Sequence, residues 1–365
     1  MSSAPDPPLA LCVASALLSS VSCYSPACAQ RLLSAPGLDL WGWLAGRTVL
    51  SAAEAQQVLR THTERLGEHG LCVLAFWYAG RPISCRAALP AAEDSVCLRV
   101  DSIVCAKTQT GCLVGYTCTR REFFVVVRGT WTAPNRRLDL QLGAEPALAR
   151  RQAGPAPRSA PQTLREGLVA AAHRFYQNEG ASLKLHRGFF RAATPGCFVR
   201  LQQLLGTSPA PEHVYVVGLS LGGAMAPLLV VGLANTLGWN PGPVLTCVTL
   251  GAPKIGDRAC NQMLLSEFGR GGAGRRRWLR LYRSSDWVPT LPPVLVPRPG
   301  AYQHPEPSDE HAACYQALDL DAWPWDADLR WWGAKDSPAA ACIYRANHRR
   351  WGHWWCWLPA YPAWG

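Results

Sequence analysis

Apolar positions along this chain recur with two different periods, and the change from one to the other marks out its elements. Val214-Tyr215-Val216-Val217 is an unbroken run of β-branched and aromatic residues, the signature of a strand buried on both faces. Val244 to Leu250 and Trp278 to Tyr282 read the same way. Cys112 to Thr117 and Glu122 to Val127, parted by the polar Thr119-Arg120-Arg121, predict a hairpin. Helical spacing appears between these runs. Ser51-Ala52-Ala53-Glu54 is a capping box, and Ala55, Val58, Leu59 and Leu66 follow it on one helical face. Further helices are predicted over Leu164 to Tyr176, from His186 to Leu205, after Ser220, and from Arg258 to Phe268. Pro227 lies inside the helix after Ser220, removes its bond to Gly223 and predicts a kink. Strands that alternate with helices imply an α/β architecture, a mostly parallel sheet with helices on both faces.

Other stretches carry less pattern. Leu32 to Gly46, with Trp41 and Trp43, reads as an apolar loop, and Leu71 to Tyr78 suits either a strand or a buried helix. Gly143 to Pro161 is dominated by Pro, Ala and Arg and reads as a surface loop. Leu9 to Val21 is apolar and is followed by Ala27-Cys28-Ala29, a small-x-small site of the kind signal peptidase cuts. Pro5, Pro7, Pro8 and the absence of an early Lys or Arg speak against a leader. Secretion and an intracellular, membrane-peripheral location both stay open.

At 365 residues the chain has room for one large domain with an appendage. The net charge of +11 is almost all arginine, because lysine occurs only at positions 107, 184, 254 and 335. Apart from Arg275-Arg276-Arg277 the arginines are scattered, which excludes a nucleic-acid footprint and suits weak attraction to anionic lipid surfaces. None of the 15 cysteines forms a Cys-x-x-Cys pair, so no zinc ribbon or thioredoxin-like motif is present. Cys72 and Cys247 lie in apolar runs, where a thiol packs as a small hydrophobe. No metal and no organic cofactor is implied.

The candidate chemistry centres on Gly218-Leu219-Ser220-Leu221-Gly222, set between a strand and a helix. That order forces a sharp, strained turn which lifts the serine above the sheet, and Gly218 and Gly222 must lack side chains where strand and helix crowd together. The helix start then offers the Leu221 N–H to a developing oxyanion. Serine is a weak nucleophile until a base takes its proton and an acid orients that base. In chain order acid and base follow the serine, which makes Asp286, at the end of a strand, the candidate acid. The base must come from the histidines that follow Asp286, which are His304, His311, His348 and His353. His304 sits among prolines as a structural residue, and His311, in Asp309-Glu310-His311, reads as a solvated surface group. His186 reads as a packing and hydrogen-bonding residue. The C-terminal tryptophans, from Trp323 to Trp357, suit core caps around the histidine loop or an acyl-chain groove.

Val127-Arg128-Gly129-Thr130, the following segment to Asp139-Leu140, His186 to Phe189, Gly218 to Gly223, Thr249 to Gly256 and Asp286 to Pro293 together resemble the class 3, fungal-type lipases. The resemblance runs from about Gly115 to Trp357. It implies an α/β-hydrolase fold and hydrolysis of glycerolipid esters, such as triacylglycerol or diacylglycerol, through an acyl-enzyme. It puts the oxyanion hole on Thr130 with Leu221, completes the triad Ser220, Asp286 and His348, and makes Trp131 to Leu142 a lid. Trp131, Leu138, Leu140 and Leu142 would form its apolar side, with Pro134 and Gly143 near its hinges. The family's histidine before the nucleophile is Leu219 here. His348, three residues before Trp351, matches the family's late His-x-x-aromatic pattern.

The expected organisation is a signal or disordered segment over 1–30, a helical or irregular extension over 31–110, a lipase-like catalytic domain over 111–358, and a tail over 359–365. The expected partners are a lipid ester substrate and a lipid–water interface or membrane surface. Two alternatives remain: an esterase for soluble esters on the same fold, and a lipase-like scaffold that lost catalysis and serves as a binding module.

Overall fold

The computed structural model describes residues 9–21, 38–44, 98–104, 108–117, 121–130, 133–141, 161–179, 183–206, 211–238, 242–270, 275–282, 288–292, 301–306 and 311–319, with a few single positions between 29 and 58. Asp286, His348, His353, Cys72, the run Leu71 to Tyr78, the Gly143 to Ala160 loop and the C-terminal tryptophans lie outside the described residues.

Seven strands form one sheet in the order of the chain: β1 Leu98–Val104, β2 Gly111–Thr117, β3 Glu122–Val127, β4 His213–Leu219, β5 Val244–Leu250, β6 Arg276–Tyr282 and β7 Tyr315–Asp319. The predicted hairpin is β2–β3. It pairs Cys112 with Val127 and Tyr116 with Phe123 in antiparallel register. From β3 onward all pairings are parallel, with Val127 opposite Gly218 and Gly218 opposite Thr249. β7 escaped the sequence reading. It has only five residues, partly exposed, and its extended form comes from pairing with β6.

Strands laid down in one direction, with right-handed crossovers, leave their connecting helices on one face. That face is packed by Leu164–Glu179, Leu221–Thr236 and Arg258–Gly269, against Val125, Val214, Val216, Cys247 and Trp278. The alternate residues Phe124, Val126, Tyr215 and Val217 point to the opposite face and are as deeply buried. The chain covers that face with its own beginning. Leu9–Val21 is an α-helix packed on β3 and β4, with Ala14, Leu17 and Leu18 buried. The predicted loop around Trp41 contains a short helix, Leu40–Leu44, and the Trp41 ring lies 5.5 Å from that of Phe124. Among the described residues no helix is long and apolar enough to cross a membrane.

The capping box is formed, with Glu54 accepting from Ser51 N at 2.8 Å and Ser51 Oγ accepting from Glu54 N at 3.3 Å. The stretch from Arg187 to Leu205 is broken by a π turn over Thr194–Phe198, because Pro195 interrupts regular bonding. The helix after Ser220 runs through Pro227 as one element, Leu221–Thr236, buried on nearly every side. Packing all round holds it where an isolated helix would break.

One buried polar network ties the helical layer together. Arg174 donates to Glu267 at 2.7 Å and to Asn235 at 2.6 Å, while Asn235 donates to the second Glu267 oxygen at 3.2 Å. Arg276 Nη1 adds a bond to the Glu267 carbonyl. A buried carboxylate is tolerated because both its oxygens are matched.

Candidate active site

Ser220 stands between β4 and the helix that follows, at φ 53° and ψ −120°. Such a backbone is costly for a residue with a side chain and persists where its surroundings impose it. Here the strand enters as part of a parallel sheet, the Ser220 N–H donates to the Leu250 carbonyl at 2.9 Å, and the helix leaves at once. The crossing is tight. A Cβ on Gly218 would lie 2.2 Å from the Gly222 carbonyl oxygen, and one on Gly222 would lie 2.1 Å from that of Val127. The two glycines singled out in the sequence are therefore required by contact.

Parallel pairing of Val127 with Gly218 makes β3 and β4 release their chains side by side. Gly129 consequently abuts the serine: a Cβ placed on it would sit 3.5 Å from Ser220 Cβ. Thr130, next in the chain, is 9% exposed and donates its hydroxyl to Asp139 Oδ2 at 2.7 Å. Burial raises the Asp139 pKa to about 7, and the Thr130 hydrogen bond pulls the other way. Leu221 is buried at the first position of the helix. Gly129 and Ser220 thus meet at the carboxyl ends of adjacent strands, where α/β sheets place their sites, with Thr130 and Leu221 following them in the chain.

His186 is fully buried as the cap of Arg187–Ala193. Its Nδ1 accepts from Phe189 N at 3.4 Å, and its ring stacks on Phe189 at 3.8 Å between centroids. Burial presses its pKa down to about 4. It is a packing and hydrogen-bonding residue, as expected. His304 pairs its Nε2 with the Pro289 carbonyl, and burial, reinforced by nearby Arg280, holds its pKa at about 3. Neutral and already engaged, it anchors the Val288–Thr290 turn two residues beyond Asp286. Lys254 holds the same turn from the other side, donating Nζ to Thr290 O at 2.8 Å and its N–H to Leu291 O at 2.7 Å. Neither interaction was visible in the sequence, although Lys254 is one of only four lysines. His311, expected at the surface, is 7% exposed, packed just before β7. The correction follows from the missed strand, which draws the residues before it into the fold. Among the described residues, no three His, Cys, Asp or Glu side chains converge as metal ligands would.

No curated protein matches the chain. Solved structures resemble it at low identity. A lipase of Yarrowia lipolytica is 19% identical over 62% of this chain and 67% of its own, with a TM-score of 0.40. A triacylglycerol lipase of Penicillium expansum is 18% identical over 69% of this chain and 79% of its own, with a TM-score of 0.37. A fungal lipase in an inhibitor complex is 22% identical, with a TM-score of 0.38, and the match spans 54% of this chain but only 62% of that enzyme. A family match takes in the serine turn, the strands on either side and the Val288–Thr290 turn. Residues 156–296 match the family described as "Lipase (class 3)", and over that stretch the chain is similar to the class 3 lipases.

Proposed function

We propose that this protein is a serine hydrolase that cleaves carboxylic esters of glycerolipids through an acyl-enzyme. The observation that carries the reading is Ser220 at φ 53° in a strand–turn–helix, with Gly129 against it and Thr130 next in the chain. In the first half-reaction Ser220 Oγ attacks the ester carbonyl while His348 takes its proton. Asp286 holds the His348 ring and stabilises the imidazolium. Charge on the carbonyl oxygen is met by the Leu221 N–H and by Thr130. His348 then protonates the leaving alcohol, and water repeats the sequence on the acyl-enzyme to release the acid. The class 3 family match supports a lipid ester as substrate. Contact with a lipid surface is consistent with the net charge of +11 and with Leu140, which is 59% exposed.

The test compares emulsified and soluble esters of matched chain length, for wild type and Ser220→Ala. Removing the nucleophile of a triad lowers turnover by about 10⁴-fold or more. A fluorophosphonate is expected to label the wild type at Ser220 alone. Undiminished hydrolysis by a folded Ser220→Ala protein would rule the mechanism out.

A further inference from the structure

Thr130 is held from both of its sequence neighbours' sides by one turn. Residues 108–110 precede β2, with Gln109 in the left-handed region at φ 53°. The carbonyls of this turn meet the segment around Thr130 twice. Arg128, two residues before Thr130, donates Nη2 to Gln109 O at 3.0 Å. Asn135, five residues after it and 1% exposed, donates Nδ2 to Thr108 O at 2.7 Å. The turn is itself secured, since Thr110 Oγ1 donates to Ala192 O at 3.0 Å and lies 2.7 Å from Thr108 Oγ1.

The short helix Ala133–Asp139, which carries Asn135, is fastened at its other end as well. Leu138 is 6% exposed within the core that includes Phe189 and Phe190. A Cβ on Gly188 would lie 1.7 Å from Leu138 O, so the helix backbone rests directly on the His186 cap. Gly188 N donates to Gln141 O at 3.3 Å, and Arg191 reaches Gln141 Oε1 at 3.2 Å. The Thr130–Asp139 bond closes the segment on itself. Swinging this helix about Pro134 would break a buried amide–carbonyl bond, empty the Leu138 site and cut the Thr130–Asp139 bond that holds the residue assigned to the oxyanion.

Resting on the assignment of Thr130 above, we infer that Arg128 and Asn135 are positioning residues for the oxyanion hole. The helix Ala133–Asp139 is a fixed buttress that stays docked through catalysis, in place of the lid expected for that segment. A lid and a buttress respond in opposite directions when the clamp is cut. Freeing a lid raises turnover of a soluble ester, because the site opens. Freeing a buttress lowers it, because Thr130 loses its alignment.

The experiment measures kcat and KM on a short nitrophenyl ester below its solubility limit, with melting temperature as a control. Asn135→Ala and the similarly shaped Asn135→Asp are expected to lower kcat about tenfold, a partial loss of one oxyanion donor, with KM within about twofold. Arg128→Met is expected to do the same, and Arg128→Lys, which keeps a donor for Gln109 O, to recover most of the rate. Unchanged or raised kcat in folded Asn135→Ala protein would overturn the inference. Hydrogen exchange on the wild type decides it without variants or turnover. Amides of Leu138 to Gln141 are expected to keep their protection when detergent micelles are added, and loss of that protection would overturn the buttress. If Ser220→Ala remains active, the hydrolase mechanism fails while the exchange result stands by itself.

Discussion

The two flanks of Ser220 are braced by the same device and differ in the charge that comes with it. On one flank, Arg128 and Asn135 fasten the Thr130 segment to carbonyls of the 108–110 turn. On the other, Lys254 and His304 hold the turn after Asp286 through its own carbonyls at 289–291. Backbone carbonyls make good anchors because each has two lone pairs and a position set by the fold. The titrating groups diverge. The Thr130 side holds a carboxyl, Asp139, whose pKa burial raises to about 7. The Asp286 side holds an imidazole, His304, pressed to about 3 by burial and by Arg280. Burial suppresses charge on both flanks, and that makes their pH responses opposite.

The largest expected effect asks whether the two flanks are correctly assigned. His348→Ala is expected to reduce ester turnover by about 10⁴-fold and abolish phosphonate labelling, whereas His304→Gln, which keeps a side-chain N–H for Pro289 O, stays within about tenfold of wild type. If His304→Gln is the inactive protein, the brace on that flank is itself the base and the comparison breaks. Inactivity of His353→Ala with an active His348→Ala would move the base by one loop.

A smaller effect separates contact from chemistry. Gly188→Ala thrusts a methyl group at the Leu138 carbonyl, 1.7 Å away, and the obstacle is backbone. Overpacking of this kind costs about 1–3 kcal/mol. Chemical denaturation is expected to show that loss, with a lowered kcat from displacement of the Thr130 segment. The counterpart across the serine is Lys254→Met, for which a fall in kcat of about tenfold with restoration by Lys254→Arg is expected, as for other positioning side chains. Wild-type kinetics in either variant would show that flank to be unconnected with the serine.

The smallest effects are the pH dependences, and here the signs differ. Asp139 binds its proton more tightly folded than unfolded. Its contribution to stability is complete below its ordinary value of 3.8 and is lost as pH rises through about 7. Stability of Asp139→Asn, measured by denaturant unfolding, is therefore expected to vary less than wild type between those limits. His304 behaves conversely: its contribution is complete above 6.5 and disappears as pH falls toward about 3. His304→Gln is expected to flatten that acid limb in part, because buried His186, with a pKa of about 4, adds a loss of the same sign. Parallel profiles for wild type and either variant would remove the distinction between the flanks.

How much could be read from the chain depended on how far apart the interacting residues lie. The strand, turn and helix from Val214 to Ala226 are legible because every signal is local: β-branched residues, then two glycines around a serine, then small apolar residues. The capping box at Ser51 and the β2–β3 hairpin are local in the same sense, and both formed. Leu221 was singled out because it directly follows the serine turn, and Thr130 because the resemblance to the class 3 lipases falls on it, just after β3.

Tertiary structure decided the rest. Nothing near Asn135 names Thr108, 27 residues earlier, and nothing near Arg128 names Gln109; only the β2–β3 pairing brings them together. β7 exists because β6 offers an unpaired edge, and His311 is buried because β7 follows it. The helices of Leu9–Val21 and Leu40–Leu44 carried no pattern that told a leader or a loop from a covering layer. Leu9–Val21 lies on β3 and β4, and Leu40–Leu44 packs beside it with Trp41 on Phe124, because a sheet built in one direction leaves one face without crossover helices. Periodicity within a segment is set by that segment's own residues, so the sequence alone determined the strongly patterned strands and helices and the serine turn. Partner choice between segments depends on which faces topology leaves open, and that the fold alone decided.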